Sequence, residues 1–293
     1  MQSDINEWIG KRQVTEDEIS LTLVRRAAAM ADLDPDAFRR GSELPPHWYS
    51  MFFTPNARAS EIGHDGHPRK GDFLPPIPLP RRMFVGREVY FIQPLIVGAE
   101  ARKVSEISSI TPKTGRSGQL VFLQVKHTIE LDGEPAVVER QNVVYREAIQ
   151  AGTASEVSKE PPGIARVPAF DWEHELTIDP VTLYRYSALT WNGHRIHYDA
   201  DYARQQEGYP ACVMNGALTL HLLISEAIKQ ANGMRLAKLG ARLSSPLFLG
   251  DALRLCGGPL LSEGGVHTMD AYAIGPGNPT AATVQLQFNA SEH

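Results

Sequence analysis

Apolar residues recur at helical spacing in the second half of the chain. The positions concerned are Leu218, Leu222, Leu223 and Ala227. They would lie along one side of a helix, and Gly233 follows as a stop signal. We therefore predict a helix over residues 216–232 that is buried along that side.

Two further helix starts carry local signals. Asp179 can cap a first turn, and Pro180 suits the first helical position, so a helix is predicted from there. In the first half, Thr15 and Glu18 match the capping-box pattern ahead of the run ISLTLVRRAAAMA. A helix is predicted in that run.

Alternating or β-branched runs between these helices predict antiparallel strands. The segment LVFLQVKHTIEL, residues 120–131, is followed by Asp132-Gly133, which favours a tight hairpin. The predicted strands are residues 88–96, 101–111, 120–131 and 136–145 in the first half, and 235–243, 252–260, 265–274 and 280–289 in the second. A helix packed on a run of such strands is an α+β arrangement.

The chain contains a degenerate repeat. FIQPLIVG ends at Gly98 and LSSPLFLG ends at Gly250, and their prolines, leucines and glycines all lie 152 residues apart. This offset favours duplication of one fold, although three fixed residues can also coincide by chance. Residues 149–167 are rich in Gly, Ser and Pro and lack an apolar period, as linkers do. We predict an amino-terminal domain over 1–150, a linker over 151–168 and a carboxy-terminal domain over 169–293.

Composition narrows the class of protein. The chain has 293 residues, 42% of them hydrophobic and 22% charged, which is typical of a globular protein. The net charge of −5 argues against nucleic acid as a partner. Cys212 and Cys256 match no metal or disulfide pattern, and no apolar run is long enough for a membrane span or a signal peptide. We expect a cytoplasmic protein with no membrane partner.

The densest group of polar side chains is YSALTWNGHRIHYDADY, residues 186–202. His194 and His197 stand three apart, with Asn192 and Asp199 nearby, and such a group can move protons near neutral pH. Half of a metal site and a surface loop with a satisfied histidine are the alternatives. Downstream, Asn215-Gly216 precedes the predicted long helix, where free N–H groups could polarise a carbonyl. A glycine there could instead simply permit close packing.

These segments resemble a known family. NGHRIHYDADYA and EGYPACVMNGALT look like the catalytic segment of MaoC-like, (R)-specific enoyl-thioester hydratases, and more closely of the mitochondrial-type 3-hydroxyacyl-thioester dehydratases. WIGKRQ, FLPPIPLPRRMFVG, KTGRSGQLVFLQVKHTIE and RQNVVYRE resemble the first domain of the same proteins. The resemblance covers nearly the whole chain and implies a double hot-dog fold, two helix-wrapped antiparallel sheets in one chain. In overall pattern it extends to the bacterial mesaconyl-C4-CoA (3-methylfumaryl-CoA) and itaconyl-CoA hydratases.

The resemblance also implies roles for residues. His197 matches the family's catalytic histidine, and Asn192 stands at the position of an aspartate that orients water or substrate. An amide cannot transfer a proton as a carboxyl can, so either His197 performs both transfers or another group helps, with His194 the first candidate. Gly216 matches the glycine whose N–H polarises the thioester carbonyl, and Asn215 replaces a common histidine beside it.

Substrate-binding residues are predicted mainly in the first half. Arg81 and Arg82 follow a proline-rich segment, and Arg116 lies in a glycine-flanked turn; each could bind a carboxylate or a coenzyme A phosphate. Arg195 and Tyr198, next to His197, complete the predicted set. The aromatic run His47-Trp48-Tyr49 suits an acyl pocket, although core packing is its commoner use.

The resulting hypothesis is a hydro-lyase. It would hydrate a short branched dicarboxylyl-CoA, mesaconyl-C4-CoA or itaconyl-CoA, reversibly to citramalyl-CoA. A 3-hydroxyacyl-ACP or -CoA dehydratase, a thioesterase relying on Asp199 or Glu207, and a non-catalytic acyl-thioester-binding protein are the alternatives. We expect no metal and no cofactor other than the coenzyme A of the substrate, and a homodimer as the assembly.

Overall fold

The strands of both halves join edge to edge into one antiparallel sheet. In the computed structural model, which describes residues 5–69, 73–115, 118–147, 170–277 and 280–290, the sheet has 11 strands in the order β1-β3-β4-β5-β2-β7-β11-β10-β8-β6, with β9 paired to β10. The strands are β1 (Arg12–Glu18), β2 (Arg81–Phe91), β3 (Glu100–Gly115), β4 (Gly118–Leu131), β5 (Glu134–Arg146), β6 (Trp172–Thr177), β7 (Arg235–Leu243), β8 (Ala252–Gly257), β9 (Leu261–Glu263), β10 (Val266–Ile274) and β11 (Thr280–Asn289).

The two halves of the sheet mirror each other about its centre. Outward from the centre, one side runs β2, β5, β4, β3, β1 and the other runs β7, β11, β10, β8, β6. β2 and β7 pair at the middle, and there Glu88 faces Gly240, two residues that are 152 positions apart. The structural centre of the sheet therefore uses the same offset as the sequence repeat. A repeated unit paired with itself across a local twofold axis produces this arrangement.

Matching hydrogen bonds recur in the two halves. The N–H of Gly98 donates to the carbonyl of Ile19 at 2.7 Å, and the N–H of Gly250 donates to that of Ile178 at 2.9 Å. Both glycines have positive φ, 87° and 90°, a conformation that favours glycine over other residues. The glycine of each repeat is therefore required by the backbone conformation at its position. The predicted boundaries at residues 150 and 168 fall outside the described residues and stay a prediction.

Four α-helices pack on this sheet or at its ends: α1 (Leu21–Met30), α2 (Pro180–Leu189), α3 (Ala200–Gln205) and α4 (Gly216–Gln230). The predicted long helix corresponds to α4, and Gly233, at φ 77°, follows its end. Asp179 caps α2 as predicted, accepting from the N–H groups of Val181 and Thr182. Within the described ranges, no helix is both long and apolar enough to span a bilayer.

The first half has only a short helix where the second half has α4. The N–H of Leu44 bonds to the carbonyl of Leu95 as that of Met214 bonds to Leu247. Leu44 and Met214 are 170 residues apart, and at that same offset the 3₁₀ helix Pro46–Met51 begins where α4 begins at Gly216. A proline has no N–H to offer there. The start of α4 therefore offers more free N–H donors than the start of the 3₁₀ helix at Pro46.

One large apolar core lies between the helices and the sheet. It contains Val24 of α1, Leu223 of α4 and Val89 and Leu239 of the central strands, each at most 1% exposed. A smaller cluster holds Ile77 and other residues of the proline-rich region against β3, β4 and β5. These features confirm the predicted α+β double hot-dog fold, with the two sheets merged into one.

The capping box predicted at Thr15 and Glu18 is wrong. Both residues lie in β1, which pairs with β3 along the sheet edge. Helix α1 begins only at Leu21, after Ser20, whose side chain makes no capping hydrogen bond. Strand pairing satisfies the backbone groups that a cap would otherwise have bound.

Candidate active site

The predicted polar cluster lies between the end of α2 and the start of α3. A 3₁₀ helix, Arg195–His197, occupies its centre. Asp199 then caps α3 by accepting from the N–H of Tyr202 at 2.9 Å. The loop is therefore held at both ends by regular structure, as catalytic loops commonly are.

His197 is buried and its tautomer is fixed. Its Nδ1 lies 2.7 Å from the carbonyl oxygen of Val213, which can only accept, so Nδ1 carries the proton. Nε2 is then the ring nitrogen with a free lone pair. The N–H of Val213 in turn donates to the carbonyl of Ile196 at 2.8 Å. This exchange holds His197 beside the residues that lead into α4.

Both histidines of the cluster are neutral at pH 7. Burial lowers the pKa of His197, and the hydrogen bond to Val213 only partly opposes that effect. Burial, together with the neighbouring His67 and His197, lowers the pKa of His194 to about 3. The His194 and His197 rings meet edge to face, with centroids 5.4 Å apart.

Asn192 connects the loop to the start of α4. Its Oδ1 accepts the backbone N–H of His194 at 3.0 Å. Its Nδ2 donates to Oδ1 of Asn215 at 3.4 Å. The amide therefore uses one donor and one acceptor at once, which a carboxylate could not do. Asparagine at position 192 can therefore connect the loop to the start of α4 in a way that an aspartate could not.

The start of α4 is buried and has no side-chain cap. Asn215 precedes the helix but makes no side-chain capping bond. Among the described residues its buried Nδ2 has no hydrogen-bond partner. A Cβ on Gly216 would lie 2.3 Å from Cδ1 of Leu243, so close packing also requires glycine there. The two interpretations of Gly216, donor and packing residue, are compatible.

A loop from the first half, which was not predicted to belong to the site, completes the cluster. The rings of His67 and His194 are in contact, with centroids 3.9 Å apart and planes tilted by 38°. Asp65 lies 3.0 Å from Nδ1 of His67. Burial would raise the pKa of Asp65, but hydrogen bonds from the side chain and backbone of His67 lower it. A second His-x-x-His spacing, His64 to His67, was the available signal.

The same loop docks on the catalytic segment through backbone contact. The N–H of Arg195 donates to the carbonyl of Asp65 at 2.9 Å. Gly66 has φ 88°, and a Cβ there would lie 1.9 Å from the carbonyl oxygen of Gly193. Only glycine fits at this crossing of the two halves.

Asp65, His67 and His194 also offer three ligand atoms within 4.8 Å of one another. The sequence analysis expected no metal site. Asp65 is already bonded by the side chain and the backbone of His67. The absence of a metal stays a prediction.

Two predicted substrate-binding residues next to His197 make contacts within the protein. Arg195 binds Oδ2 of Asp199 through Nε at 3.0 Å and Nη2 at 2.7 Å, and its Nη1 meets His64. Its guanidinium therefore fixes the loop. Tyr198 is 56% exposed and its hydroxyl donates to the carbonyl of Gly193. A substrate role for either stays a prediction.

The other predicted arginines lie away from this loop in the sequence and are not tested by its geometry. Arg81 and Arg82 begin β2, and Arg82 hydrogen-bonds to Tyr145 on the neighbouring strand β5. Arg116 lies outside the described residues.

A groove of about 510 Å³ occurs on the outer face of the sheet. Arg87, Ala241 and Val284 contribute to its lining, as do Arg242 and Gln285, which alternate along their strands with the core residues Ala241 and Leu286. Alternate residues of a strand point to opposite faces, so this groove lies across the sheet from α4. It is separate from the His197 cluster.

Comparisons with known proteins agree with the geometry. Residues 47–249 match the family model described as hydroxyacyl-thioester dehydratase type 2. The chain is 38% identical to the mesaconyl-C(4)-CoA hydratase of Chloroflexus aurantiacus, covering 97% of this chain and 98% of that protein. It is 24% identical to the mitochondrial hydroxyacyl-thioester dehydratase type 2 of Schizosaccharomyces pombe, covering 79% and 82%.

The fold comparison points the same way. A crystal structure of a MaoC-like dehydratase from Phytophthora capsici superposes with a TM-score of 0.71 at 13% identity, covering 98% of each chain. At that identity the likeness concerns the fold alone. The family match over most of the chain and the relative from Chloroflexus aurantiacus lead to one conclusion: the chain belongs to the hydroxyacyl-thioester dehydratase type 2 family.

Proposed function

We propose that this enzyme hydrates a short branched dicarboxylyl-CoA reversibly, with mesaconyl-C4-CoA or itaconyl-CoA giving citramalyl-CoA. The observation that carries the reaction type is His197, a neutral buried histidine with its free Nε2 beside the start of α4. The substrate class is supported by the 38% identity to a mesaconyl-C(4)-CoA hydratase over nearly the full chain.

The first step is proton removal from water. Nε2 of His197 takes the proton, and the water oxygen forms a bond to the β-carbon of the enoyl thioester. In mesaconyl-C4-CoA, whose double bond is conjugated with the thioester, the electron pair of that double bond moves toward the thioester oxygen, which gains negative charge. Positioned general-base catalysis of this kind contributes roughly 10²–10⁴-fold.

The start of α4 stabilises the charge that develops. The N–H of Gly216 is one donor, and the unpartnered Nδ2 of Asn215 is a second. Donors fixed in advance at a helix start, where the dipole is positive, suit an oxyanion. Removing one such donor typically costs about 10²–10³-fold in kcat.

His197 then returns the proton to the α-carbon, which restores its neutral form and completes the addition of water. His194 is the other candidate acid, but a group with a pKa of about 3 carries almost no proton at pH 7. We propose that His194, held by Asn192 and in contact with His67, orients the water. No metal or redox cofactor takes part in this scheme.

One alternative, a thioesterase, needs a free carboxylate near the thioester. Asp199 caps α3 and pairs with Arg195, so both of its oxygens are in use. Glu207 is exposed. A general 3-hydroxyacyl dehydratase would use the same His197 chemistry and differs only in the acyl group, whereas a binding protein would not need the free Nε2.

The test is a substrate panel with the purified full chain. We expect mesaconyl-C4-CoA to lose its enoyl-thioester ultraviolet absorbance and gain the mass of one water, with a higher kcat/KM than crotonyl-CoA. Faster hydration of crotonyl-CoA or longer enoyl thioesters would favour the general dehydratase. Release of free coenzyme A would favour a thioesterase, and no reaction at all would favour a binding protein.

A further inference from the structure

A second group of buried polar residues lies along α4, away from the His197 loop. It contains His47, Tyr49, Arg87, Glu139, Tyr186 and His221, and we call it the buried polar cluster. The rings of His47 and His221 lie 5.0 Å apart, and those of Tyr186 and His221 lie 6.0 Å apart. The mechanism above uses none of these side chains.

The cluster is joined from both halves of the chain. His47 belongs to the short 3₁₀ helix of the first half and Arg87 to β2, whereas Tyr186 and His221 come from α2 and α4. Nε2 of His47 bonds Ser225 of α4 at 2.9 Å. The group therefore lies in the seam where the two hot-dog units face each other.

Several of these groups are buried without being paired. Within the described part of the chain, Nδ1 of His47, Nε of Arg87, the hydroxyl of Tyr186 and Nδ1 of His221 have no hydrogen-bond partner. Tyr186 is 1% exposed and His221 is 4% exposed. Buried polar groups in folded proteins are nearly always hydrogen-bonded, so four unpaired ones together need an explanation.

The guanidinium of Arg87 has one side occupied and one side free. Its Nη1 faces the Tyr49 hydroxyl at 3.4 Å and Glu139 at 3.8 Å. The Tyr49 hydroxyl donates to the other Glu139 oxygen at 2.8 Å. The Nε edge, on the other side, is the one that arginine commonly offers to a carboxylate in a two-point contact.

Arg87 is the charged donor of the cluster, and Glu139 is its ion-pair partner. Burial would lower the pKa of Arg87, but Tyr49 and Glu139 raise it, so the guanidinium keeps its charge. Burial and Arg87 lower the pKa of His221 to about 4. His221 and His47 are therefore neutral groups that could take up a proton when an anion enters beside them.

The cluster lies at a suitable depth below the proposed thioester site. His221 follows Gly216 by five residues, which is about 7.5 Å of helix rise. Helical side chains point back toward the amino end of the helix, which brings the His221 ring nearer to Gly216. A short acyl chain bound at the helix start would have its far end at this level.

We propose that the buried polar cluster, through the Nε edge of Arg87, the Tyr186 hydroxyl and His221, binds the carboxylate at the far end of a dicarboxylyl-CoA. This inference rests on the proposed function and names the residues that select its substrate. It gives the role of carboxylate recognition to Arg87 instead of Arg81, Arg82 or Arg116. A neutral acyl chain would leave the same donors unpaired.

The experiment compares kcat/KM for mesaconyl-C4-CoA and crotonyl-CoA in Tyr186→Phe, which removes one hydroxyl and keeps the ring. We expect mesaconyl-C4-CoA to lose about tenfold or more, since one hydrogen bond to a charged group is removed, and crotonyl-CoA to change less than about twofold. Arg87→Lys, which keeps the charge but not the fork, should show the same selective loss. Tyr272→Phe on the outer face of the sheet is the matched control and should leave both values unchanged.

The outcomes separate this inference from the proposed function. If the unmodified enzyme hydrates mesaconyl-C4-CoA but Tyr186→Phe and Arg87→Lys, with unchanged Tm, lose equally on both substrates, the carboxylate site is wrong and the function stands. If Arg81→Ala or Arg82→Ala gives the selective loss instead, the carboxylate is bound there. If the unmodified enzyme acts only on crotonyl-CoA, both proposals fail.

Discussion

A buried histidine acts as a base only if its ring is neutral and one nitrogen is free. His197 meets both conditions through one contact, the hydrogen bond from Nδ1 to the Val213 carbonyl. That contact comes from the segment that leads into α4, so the base and the proposed oxyanion donors share a support. The same hydrogen bond therefore fixes both the orientation of the His197 ring and the nitrogen that carries its proton.

Gly216 is where the packing and the donor interpretations can be separated. Gly216→Ala would place a Cβ against Leu243 and move the helix start, so we expect kcat to fall by roughly tenfold or more. Gly216→Ala combined with Leu243→Ala restores the space, since the clash is with a side-chain methyl. Recovery of kcat in the double variant, measured by loss of enoyl absorbance, is the expected result.

Leu243→Ala alone is the control for the lost apolar contact. If the double variant stays as slow as Gly216→Ala, helix displacement by Leu243 is not the cause of the loss.

Elements from opposite halves meet at the catalytic loop. The loop holding Asp65, Gly66 and His67 packs its backbone against Gly193 and Arg195. This crossing brings His67 onto His194. The first half thus contributes to the site itself as well as to the sheet.

Gly66→Ala should break this docking. The change combines a positive φ, costing about 1–2 kcal/mol, with a clash against the Gly193 carbonyl. We expect kcat for mesaconyl-C4-CoA to fall at least about tenfold as His194 loses its support. Gly41→Ala has an almost equal φ of 90° but open space around the new Cβ, so it matches the strain without the clash.

Equal activities in the two variants would mean that the loop contact does not matter for catalysis. Thermal unfolding of both proteins is measured alongside, because each should be destabilised by the strained backbone.

The strands show why some elements were predictable from sequence and others were not. The bounds of β7 and β11 match the prediction because their apolar residues alternate or are buried in the middle of the sheet. β1 (RQVTEDE) and β6 (WEHELT) are sheet-edge strands with mostly polar residues, and the prediction missed both. Edge strands bury little side chain, so their sequences carry little alternation.

The residues of the site also divide into those that a sequence pattern could find and those that it could not. His194, His197 and Asn192 lie within six residues of each other, so a local pattern could find them. Asp65 and His67 reach them only through the fold, from about 130 positions away in the sequence. Arg87 looked like an ordinary strand residue, and its burial and its unpaired Nε follow from the tertiary packing.

At the scale of the whole molecule, the sheet is symmetric but the chemistry is not. The strand order mirrors about β2 and β7, yet the first half begins its central helix with Pro46 and ends it at Met51. Because this helix is shorter than α4, His47 and its neighbours occupy the space beside α4. In the proposed mechanism, one half of this symmetric sheet carries the base and the other half shapes the pocket.

The buried neutral histidines predict how stability depends on pH. His194 and His221 have lowered pKa values, about 3 and about 4, whereas in the unfolded chain they titrate near 6.5. The unfolded state therefore binds more protons as pH falls below 6.5, and the folded state loses stability. Each group contributes up to about 1.4 kcal/mol per pH unit, so the two together cost about 2 kcal/mol between pH 6 and pH 5.

Urea unfolding at a series of pH values measures this slope. His221→Phe should reduce this slope by about one proton's worth. A free energy of unfolding that is flat between pH 7 and pH 5 would contradict the burial of neutral histidines.

The central claim is that His197 is the base for hydration, and its substitution tests that claim most directly. His197→Gln keeps a side chain that can donate to the Val213 carbonyl but removes the basic nitrogen. The rate of hydration of mesaconyl-C4-CoA at saturation is compared with that of the unmodified enzyme, with His174→Gln as the control. If His197 is the base, we expect kcat to fall at least about 10²-fold at an unchanged Tm. A kcat within a few-fold of the unmodified enzyme would contradict it.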